Sequence, residues 1–252
     1  MEQPSSLDER QRIQTRLWEL IPPHDWALYR VVLEKALAQG LRFALGGGLA
    51  FSAYARRWRN TKDMDLYVLP DDRQAMIDLV RTSGFADYFE QEPYDRLWIY
   101  RSYRERVIVD VIWQMANQRA AVDDRWISRG TEVTIHGVTV RLLSVEELIW
   151  AKLYVLQRDR CDWPDLLNLI YVQGGQLDWS YLLDQLGEDA PVLGGVMSVL
   201  GWMCPTRAQQ LPEWIWTRLG LFKPPTGPDC QENRRRVRLL DSRDWFGPKH
   251  EN

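Results

Sequence analysis

The chain has 252 residues, 45% of them hydrophobic and 27% charged, and its formal net charge is −3 at pH 7. These proportions are ordinary for a globular protein with a substantial core. Three separated cysteines exclude a disulfide framework, and three scattered histidines are too few for a zinc site. The longest apolar stretch, 190–204, is too short and glycine-rich to span a bilayer, and the N-terminus does not resemble a signal peptide. We therefore expect a cytoplasmic protein with no membrane partner.

A glycine turn follows the first predicted strand. Residues 26–39 have a helical pattern, residues 41–45 form a short strand, and three consecutive glycines then end at Gly48. Glycine lets the backbone approach a ligand closely, and a helix over 49–55 would direct its N-terminal amides at an anion. We interpret Gly47 and Gly48 as a phosphate-binding turn. The alternative is that the glycines serve only the geometry of the turn.

Two aspartates occupy alternate positions of the next predicted strand. Apolar residues alternate over 63–69, and because side chains repeat every two residues in a strand, Asp63 and Asp65 emerge on one face. Adjacent carboxylates repel each other, so a shared cation explains the pair most simply, and oxygen ligands suit Mg²⁺ or Mn²⁺. Solvated acids at an exposed strand end are the alternative.

A third aspartate lies alone in a strongly β-prone run. Asp110 is the charge in the middle of residues 106–113, and such a charge is rarely buried unless it is paired or bound to metal. If this strand lies beside the one with Asp63 and Asp65, three carboxylates converge. That arrangement is sufficient for a two-metal site.

A capping box predicts the start of a helix in the second half of the chain. Ser144 is followed three residues later by Glu147, and apolar residues recur at helical spacing over 145–157. Lys152 lies on the apolar stripe of this helix. A lysine there needs an anion, or its side chain must extend to place the ammonium in solvent.

Pro164 predicts the first turn of another helix. Proline is favoured at that position, and an acidic residue is favoured just before it or in its first turn. Asp162 and Asp165 are therefore expected to be a helix cap and a partner of the helix dipole.

Prolines over 223–228 predict a linker before a charged tail with four arginines in 234–238. These arginines could contact RNA phosphates, but Asp241 and Asp244 favour docking within the protein. The chain thus divides into a mixed-sheet domain over 1–143 with a charged leading helix, a helical domain over 144–222 and a Pro/Arg-rich tail over 223–252.

In their order along the chain, these motifs resemble the nucleotidyltransferase superfamily of the polymerase-beta type. The segment Arg-Asn-Thr-Lys-Asp-Met-Asp-Leu over 59–66 is similar to a bacterial branch that includes abortive-infection type IV toxins and small uncharacterised nucleotidyltransferases. The fourteen residues between Gly48 and Asp63 slightly exceed the usual spacer of that superfamily. The resemblance implies an α/β (α+β) fold, with a mixed β-sheet nucleotidyltransferase core flanked by helices and followed by a C-terminal helical region.

The resemblance also implies an activity, the metal-dependent transfer of a nucleoside monophosphate from a nucleoside triphosphate to a hydroxyl, with release of pyrophosphate. Asp63, Asp65 and Asp110 would be the catalytic residues and would hold Mg²⁺ or Mn²⁺. The residues that it implies for nucleotide binding are Gly47, Gly48, Lys152, Arg158 and Asp162.

The resemblance leaves the partners open. The acceptor would be a tRNA, a protein or a small molecule such as an aminoglycoside, and an antitoxin is a further partner that it allows. The alternative is a non-catalytic nucleotidyltransferase-fold protein that binds a nucleotide or a protein partner. That alternative would gain if Asp110 lay away from Asp63 and Asp65. The toxin similarity is a family-level analogy and does not establish an activity.

Overall fold

The computed structural model describes residues 18–19, 21–57, 61–158, 160–225 and 235–236. The chain divides into two compact units, Met1–Ser144 and Val145–Asn252. The predicted leading helix lies almost entirely outside the described residues, and so does most of the predicted tail. Among the helices that are described, none is long and apolar enough to cross a membrane.

The first unit combines a sheet with helices. Its described strands are β1 Phe43–Leu45, β2 Asp63–Val68, β3 Ala86–Asp87, β4 Ile99–Arg104, β5 Val107–Ile112, β6 Glu132–Ile135 and β7 Val138–Arg141. Its described α-helices are α1 Pro23–Ala38, α2 Gly47–Ala55, α3 Arg73–Thr82 and α4 Asp124–Ser128. Short 3₁₀ turns cover Pro70–Asp72 and Tyr88–Glu90.

The main sheet has five strands in the order β1-β2-β5-β4-β3, and β6 and β7 form a separate hairpin. Strands β2 and β5 run parallel, while the other neighbours in the main sheet are antiparallel. The sheet is therefore mixed, which confirms the fold class predicted from the sequence. Leu45 of β1 also forms a parallel bridge with Leu142, just after β7.

Strand β5 lies in the middle of the sheet because its sequence is apolar on both faces. Val107, Val109 and Val111 are buried, and Ile112 is buried as well. Strand β2 instead alternates between half-buried and buried residues, as expected for a strand with one exposed face. Asp110 is the only charged residue of β5, and the packing of its neighbours fixes its position.

The second unit is helical where it is described. Its α-helices are α5 Val145–Leu153, α6 Trp163–Gln173, α7 Trp179–Leu186, α8 Ala190–Met203, α9 Pro205–Gln209 and α10 Glu213–Arg218. Helix α8 contains almost all of the longest apolar stretch of the sequence, residues 190–204, and Leu193, Met197 and Leu200 on it are buried. Trp150, Trp179 and Trp216 are buried between these helices, whereas Trp202 and Trp214 are exposed.

Helix α5 begins where the capping box predicts but ends at Leu153, not near residue 157. The chain reverses direction after it. Leu156 and Cys161 form an antiparallel bridge, and the amide of Asp162 donates to the carbonyl of Val155 at 3.0 Å. This tight reversal satisfies backbone groups that a longer helix would have paired, so the helix prediction was wrong at this end.

Candidate active site

Three aspartates lie together on one face of the main sheet. Asp65 of β2 and Asp110 of β5 are directly paired positions of two parallel strands, and Asp63 lies two residues before Asp65 on the same face. One oxygen from each of the three carboxylates lies within 4.8 Å of the others. The sequence predicted this meeting of the three acids on adjacent strands, and their chemical roles stay a prediction.

Asp110 is the buried member of the group. Its side chain is 1% exposed and pairs with Arg101, the residue opposite it on β4. The Arg101 Nε donates to Asp110 Oδ1 at 2.9 Å and Nη2 donates to Oδ2 at 2.6 Å. Burial raises the pKa of Asp110 above its ordinary value, and the opposing effect of Arg101 does not cancel the rise, to which Asp63 also contributes.

Arg101 places a positive charge beside these acids. Its pKa is raised above the ordinary value, first by the hydrogen bonds to Asp110 and, against the cost of burial, also by the charges of Asp63 and Asp65. The guanidinium therefore lies in the field of all three carboxylates. It stays protonated throughout the pH range in which proteins are folded.

Asp63 is held by a neighbouring hydroxyl. Thr61 Oγ1 lies 2.5 Å from Asp63 Oδ1, within hydrogen-bonding distance. Thr61 also contacts the glycine turn, because a Cβ added to Gly48 would lie 2.6 Å from Thr61 Oγ1. Thr61 thus connects the start of α2 to the first aspartate of β2.

The glycine turn packs directly on Asp65. The amide of Gly46 donates to the carbonyl of Asp65 at 2.9 Å. A Cβ added to Gly47 would lie 1.6 Å from Asp65 Oδ2, and Gly47 has a positive φ of 52°, so this position favours glycine on both counts. The first turn of α2 therefore lies against the acids, although the spacer between Gly48 and Asp63 is long.

The negative charge of the three acids also affects the pKa of a tyrosine on α1. Tyr29 is buried, and its pKa is raised above the ordinary value first by burial and next by the charge of Asp63. Asp65 and Asp110 add smaller contributions of the same sign. A divalent cation would relieve this accumulated charge, and the all-oxygen set of ligands is of the type that Mg²⁺ and Mn²⁺ prefer.

Lys152, Asp162 and Arg158 belong to the second unit. Lys152 Nζ donates to Asp162 Oδ2 at 2.7 Å and to Asp165 Oδ2 at 2.8 Å, and all three side chains are largely buried. Arg160 lies 3.4 Å from the other oxygen of Asp162. Arg158 is exposed. The inward-facing lysine thus has its anions, and the role of these three residues in nucleotide binding stays a prediction.

Asp162 occupies the position before α6 that the sequence predicted for a helix cap. Its carboxylate makes no capping hydrogen bond, so the capping prediction was wrong: the side chain turns to Lys152 instead. Burial raises the pKa of Asp162, but the charges of Lys152 and Arg160 lower it further, and the net pKa lies below the ordinary value.

Two residues of the site were missed by the sequence interpretation, namely Arg101 and Thr61. Arg101 is a charge in the middle of a strand next to the strand of Asp110, and an opposite charge in that position was a signal for a cross-strand pair. Thr61 lies two residues before Asp63 in the motif itself. Side chains two positions apart lie on the same side of an extended segment, and this spacing was the available signal that the Thr61 hydroxyl lies near Asp63.

The family described as uncharacterised nucleotidyltransferases matches residues 33–188 of this chain. The match covers β1 to β7 and the first helices of the second unit, and it includes all three aspartates. No curated protein matches the chain.

Several solved structures are also similar. The antibiotic-resistance factor ANT(2'')-Ia has 19% identity and a TM-score of 0.46, covering 68% of this chain and 94% of that one. The lincosamide antibiotic adenylyltransferase LnuA, bound to lincomycin, has 15% identity and a TM-score of 0.42, covering 57% and 94%. An antigenic nucleotidyltransferase-like protein from Paracoccidioides brasiliensis has 20% identity and a TM-score of 0.36, covering 67% and 90%. The family match carries the assignment, and these distant structures add no argument about substrates.

Proposed function

The chain belongs to the family of uncharacterised nucleotidyltransferases, and from this premise we propose that it transfers a nucleoside monophosphate from a nucleoside triphosphate to a hydroxyl acceptor. The reaction depends on a divalent metal, Mg²⁺ or Mn²⁺, and releases pyrophosphate. The observation that carries the proposal is the convergence of Asp63, Asp65 and Asp110 within 4.8 Å. A fold that only bound a partner protein would not need three adjacent carboxylates.

The three aspartates hold the metal in this proposal. The bound metal supplies charge neutralisation on the triphosphate and on the attacking oxygen. Asp63 and Asp65 are half-buried at the open side of the site, while Asp110 is buried behind them. The hydroxyl oxygen of the acceptor forms a bond to the α-phosphorus, and the bond from that phosphorus to the bridging oxygen breaks, so pyrophosphate leaves with the electron pair.

The proton of the acceptor hydroxyl passes to a carboxylate in this proposal. Asp110 is the candidate, as the resemblance to the nucleotidyltransferase superfamily implies, and its carboxylate lies at the position paired with Asp65. Gly47 and Gly48 place the first turn of α2 against the acids, where its backbone amides can donate to phosphate oxygens.

The proposal extends to Lys152, Arg158 and Asp162 as candidate residues of the nucleotide site. Arg158 is exposed and available to a phosphate. Lys152 already donates to Asp162 and Asp165, so a contact with the triphosphate requires its ammonium to exchange one of these carboxylates for phosphate. Variants of Lys152 therefore test this part separately from the metal site.

Calorimetric titration with ATP, GTP, CTP and UTP in the presence of Mg²⁺ tests the nucleotide site. We expect one or more of them to bind the wild type and to lose affinity in the double variant Asp63→Asn/Asp65→Asn. The matched control is Asp71→Asn/Asp72→Asn, which changes two acids of a surface turn without altering the cluster. Affinity that persists without Mg²⁺, or in the variant of the cluster, would contradict the proposed site.

Release of pyrophosphate on addition of acceptors then separates the two functions that the fold allows. Candidate acceptors are tRNA, protein hydroxyls and small molecules with hydroxyl groups. Binding of a nucleotide without pyrophosphate release from any of them would favour the non-catalytic alternative. The non-catalytic alternative would have gained if Asp110 lay away from Asp63 and Asp65, but Asp110 lies beside Asp65. An antitoxin partner stays a prediction from the sequence.

A further inference from the structure

Arg101 is paired with the carboxylate of Asp110, which the proposed metal site also needs. Its guanidinium contacts both oxygens of Asp110: Nε lies 2.9 Å from Oδ1 and 3.2 Å from Oδ2, and Nη2 lies 2.6 Å from Oδ2. A planar guanidinium that spans both oxygens of a carboxylate is the strongest pairing available to an arginine. The third acid of the site is therefore already neutralised while no metal is bound.

A divalent ion and the guanidinium compete for this carboxylate. Asp110 is enclosed, with 1% of its side chain exposed, and the guanidinium already contacts both of its oxygens. An ion bound there would also lie within a few ångströms of the positive charge of Arg101, and like charges at that distance in a buried site repel strongly.

Arg101 has room to leave without a change in the sheet. Its backbone is fixed on β4, where its amide donates to the Tyr94 hydroxyl at 2.9 Å and that hydroxyl donates to its carbonyl at 3.2 Å. Its side chain is 34% exposed, so the guanidinium can rotate toward solvent. The ring of Tyr88 lies 5.9 Å from the guanidinium in its present position, within reach of a cation–π contact.

We propose that Arg101 is the built-in counter-ion of Asp110 and that a divalent metal must displace it from this carboxylate to complete the site. The inference rests on the proposed function, because it assumes that the three aspartates hold the metal. In this arrangement Asp63 and Asp65 receive the ion first, and Asp110 joins when the guanidinium leaves. Arg101 thus lowers the affinity for metal and stabilises the metal-free protein.

Binding of Mn²⁺, measured by calorimetry and by the electron paramagnetic resonance signal of free Mn²⁺, tests the inference without any substrate. We expect Arg101→Gln to bind Mn²⁺ about tenfold more tightly than the wild type, the usual size of a coupling between two competing ligands. Thermal unfolding without metal should occur at a lower temperature in this variant, and Mn²⁺ should raise that temperature more than it does for the wild type.

Arg104→Gln is the matched control. Arg104 lies on the same strand, but its guanidinium donates to the carbonyl of Ser83 and not to the acids, so Mn²⁺ affinity should equal that of the wild type. In the double variant Arg101→Gln/Asp110→Asn, the gain in Mn²⁺ affinity should disappear. A merely structural role of Arg101 would not make that gain depend on Asp110. If Arg101→Gln does not fold, Arg101→Lys replaces it, and it should bind Mn²⁺ more tightly because an ammonium cannot span both oxygens.

The outcomes separate this inference from the proposed function. Equal or weaker Mn²⁺ binding by the Arg101 variants, with clear binding by the wild type, overturns the displacement and leaves the metal site intact. Absence of Mn²⁺ binding in the wild type and in both Arg101 variants overturns the metal site itself, and the inference with it. Tighter binding that Asp110→Asn abolishes supports both.

Discussion

Each unit of the chain has a cluster of acids beside a cation, and the clusters differ in charge. On the sheet, Arg101 pairs with Asp110 beside Asp63 and Asp65, so the named groups are three acids and one base. In the helical unit, Asp162 and Asp165 meet Lys152 and Arg160, and acids and bases are equal in number.

The pKa of the acids follows this difference. The pKa of buried Asp110 stays raised despite its arginine, whereas the pKa of buried Asp162 ends below its ordinary value because its cations outweigh burial. Burying a carboxylate is costly unless a cation offsets it, and the cations around Asp162 do so. This difference supports the proposed metal site on the sheet, and the ion pairs of Lys152 stabilise the helical unit.

The largest expected effect on metal binding comes from Asp65→Asn. Removing one of the three ligands should weaken Mn²⁺ binding about 100-fold or more, because the remaining acids offer too little negative charge for a divalent ion. Thermal stability should be unchanged or higher, since the substitution relieves repulsion between carboxylates. Calorimetry and thermal unfolding measure the two effects. Asp78→Asn, an exposed acid on α3, is the control, and equal Mn²⁺ affinity in both variants would break the comparison.

Lys152→Met should show the opposite pattern. It leaves the buried carboxylates of Asp162 and Asp165 without their ammonium, and removing one partner of a buried ion pair costs about 3–5 kcal/mol in the free energy of unfolding. Mn²⁺ affinity should not change. Urea unfolding measures the loss, with Lys35→Met as the control because Lys35 is an exposed lysine. A loss of Mn²⁺ affinity without a loss of stability would contradict the assignment.

The pH dependence of this loss follows from the pKa of Asp162. A carboxyl whose pKa is lowered in the folded state contributes stability above its ordinary pKa of 3.8, and that contribution disappears as the pH falls through the folded value. In Lys152→Met the larger of the two lowering effects on the pKa of Asp162 is lost, and that of Arg160 remains. The difference in unfolding free energy between wild type and variant should thus be largest near pH 7 and shrink below pH ~4. A difference that is constant down to pH ~2.5 would exclude the ion pair as its source.

Gly47→Ala has a smaller expected effect, and it changes both stability and Mn²⁺ binding. The residue has φ of +52°, and a Cβ there would lie 1.6 Å from Asp65 Oδ2, so the carboxylate or α2 must move. We expect a loss of about 1–2 kcal/mol in unfolding free energy from the left-handed backbone, together with weaker Mn²⁺ binding. Gly175→Ala, where an added Cβ meets nothing within 4 Å, should change neither quantity. Wild-type affinity in Gly47→Ala would show that Asp65 does not depend on the turn.

The sequence predicted the acid site well because its signals are local. The alternation around Asp63 and Asp65 set their common face, and the isolated charge of Asp110 in a β-prone run indicated a paired or metal-bound residue. The mixed sheet was implied by the resemblance to the nucleotidyltransferase superfamily. Adjacency of the two strands was the single tertiary assumption, and the paired positions of Asp65 and Asp110 confirm it.

The failures of prediction involve contacts that the local sequence pattern does not specify. Asp162 was expected to cap its own helix, but Lys152, ten positions earlier, forms a stronger charged pair with it. The end of α5 depended on a chain reversal that no helical propensity encodes. Arg101 was missed because its ion pair with Asp110 forms only when β5 lies beside β4. Thr61 was missed because the sequence alone does not show that its hydroxyl lies close to both Asp63 and Gly48.

Thr61 provides the smallest test of the comparison, since it adds no charge to the acid cluster and only orients one member. Thr61→Val keeps the shape of the side chain but removes the hydroxyl that lies 2.5 Å from Asp63 Oδ1, so Asp63 can turn away from the other acids. Loss of such an orienting partner costs about tenfold in metal affinity, measured by calorimetry with Mn²⁺. Thr61→Ser keeps the hydroxyl and should stay near the wild-type affinity, and Thr134→Val, on an exposed hairpin, should equal it. If Thr61→Val binds Mn²⁺ as the wild type does, the charge of the three acids alone determines affinity and their orientation contributes little.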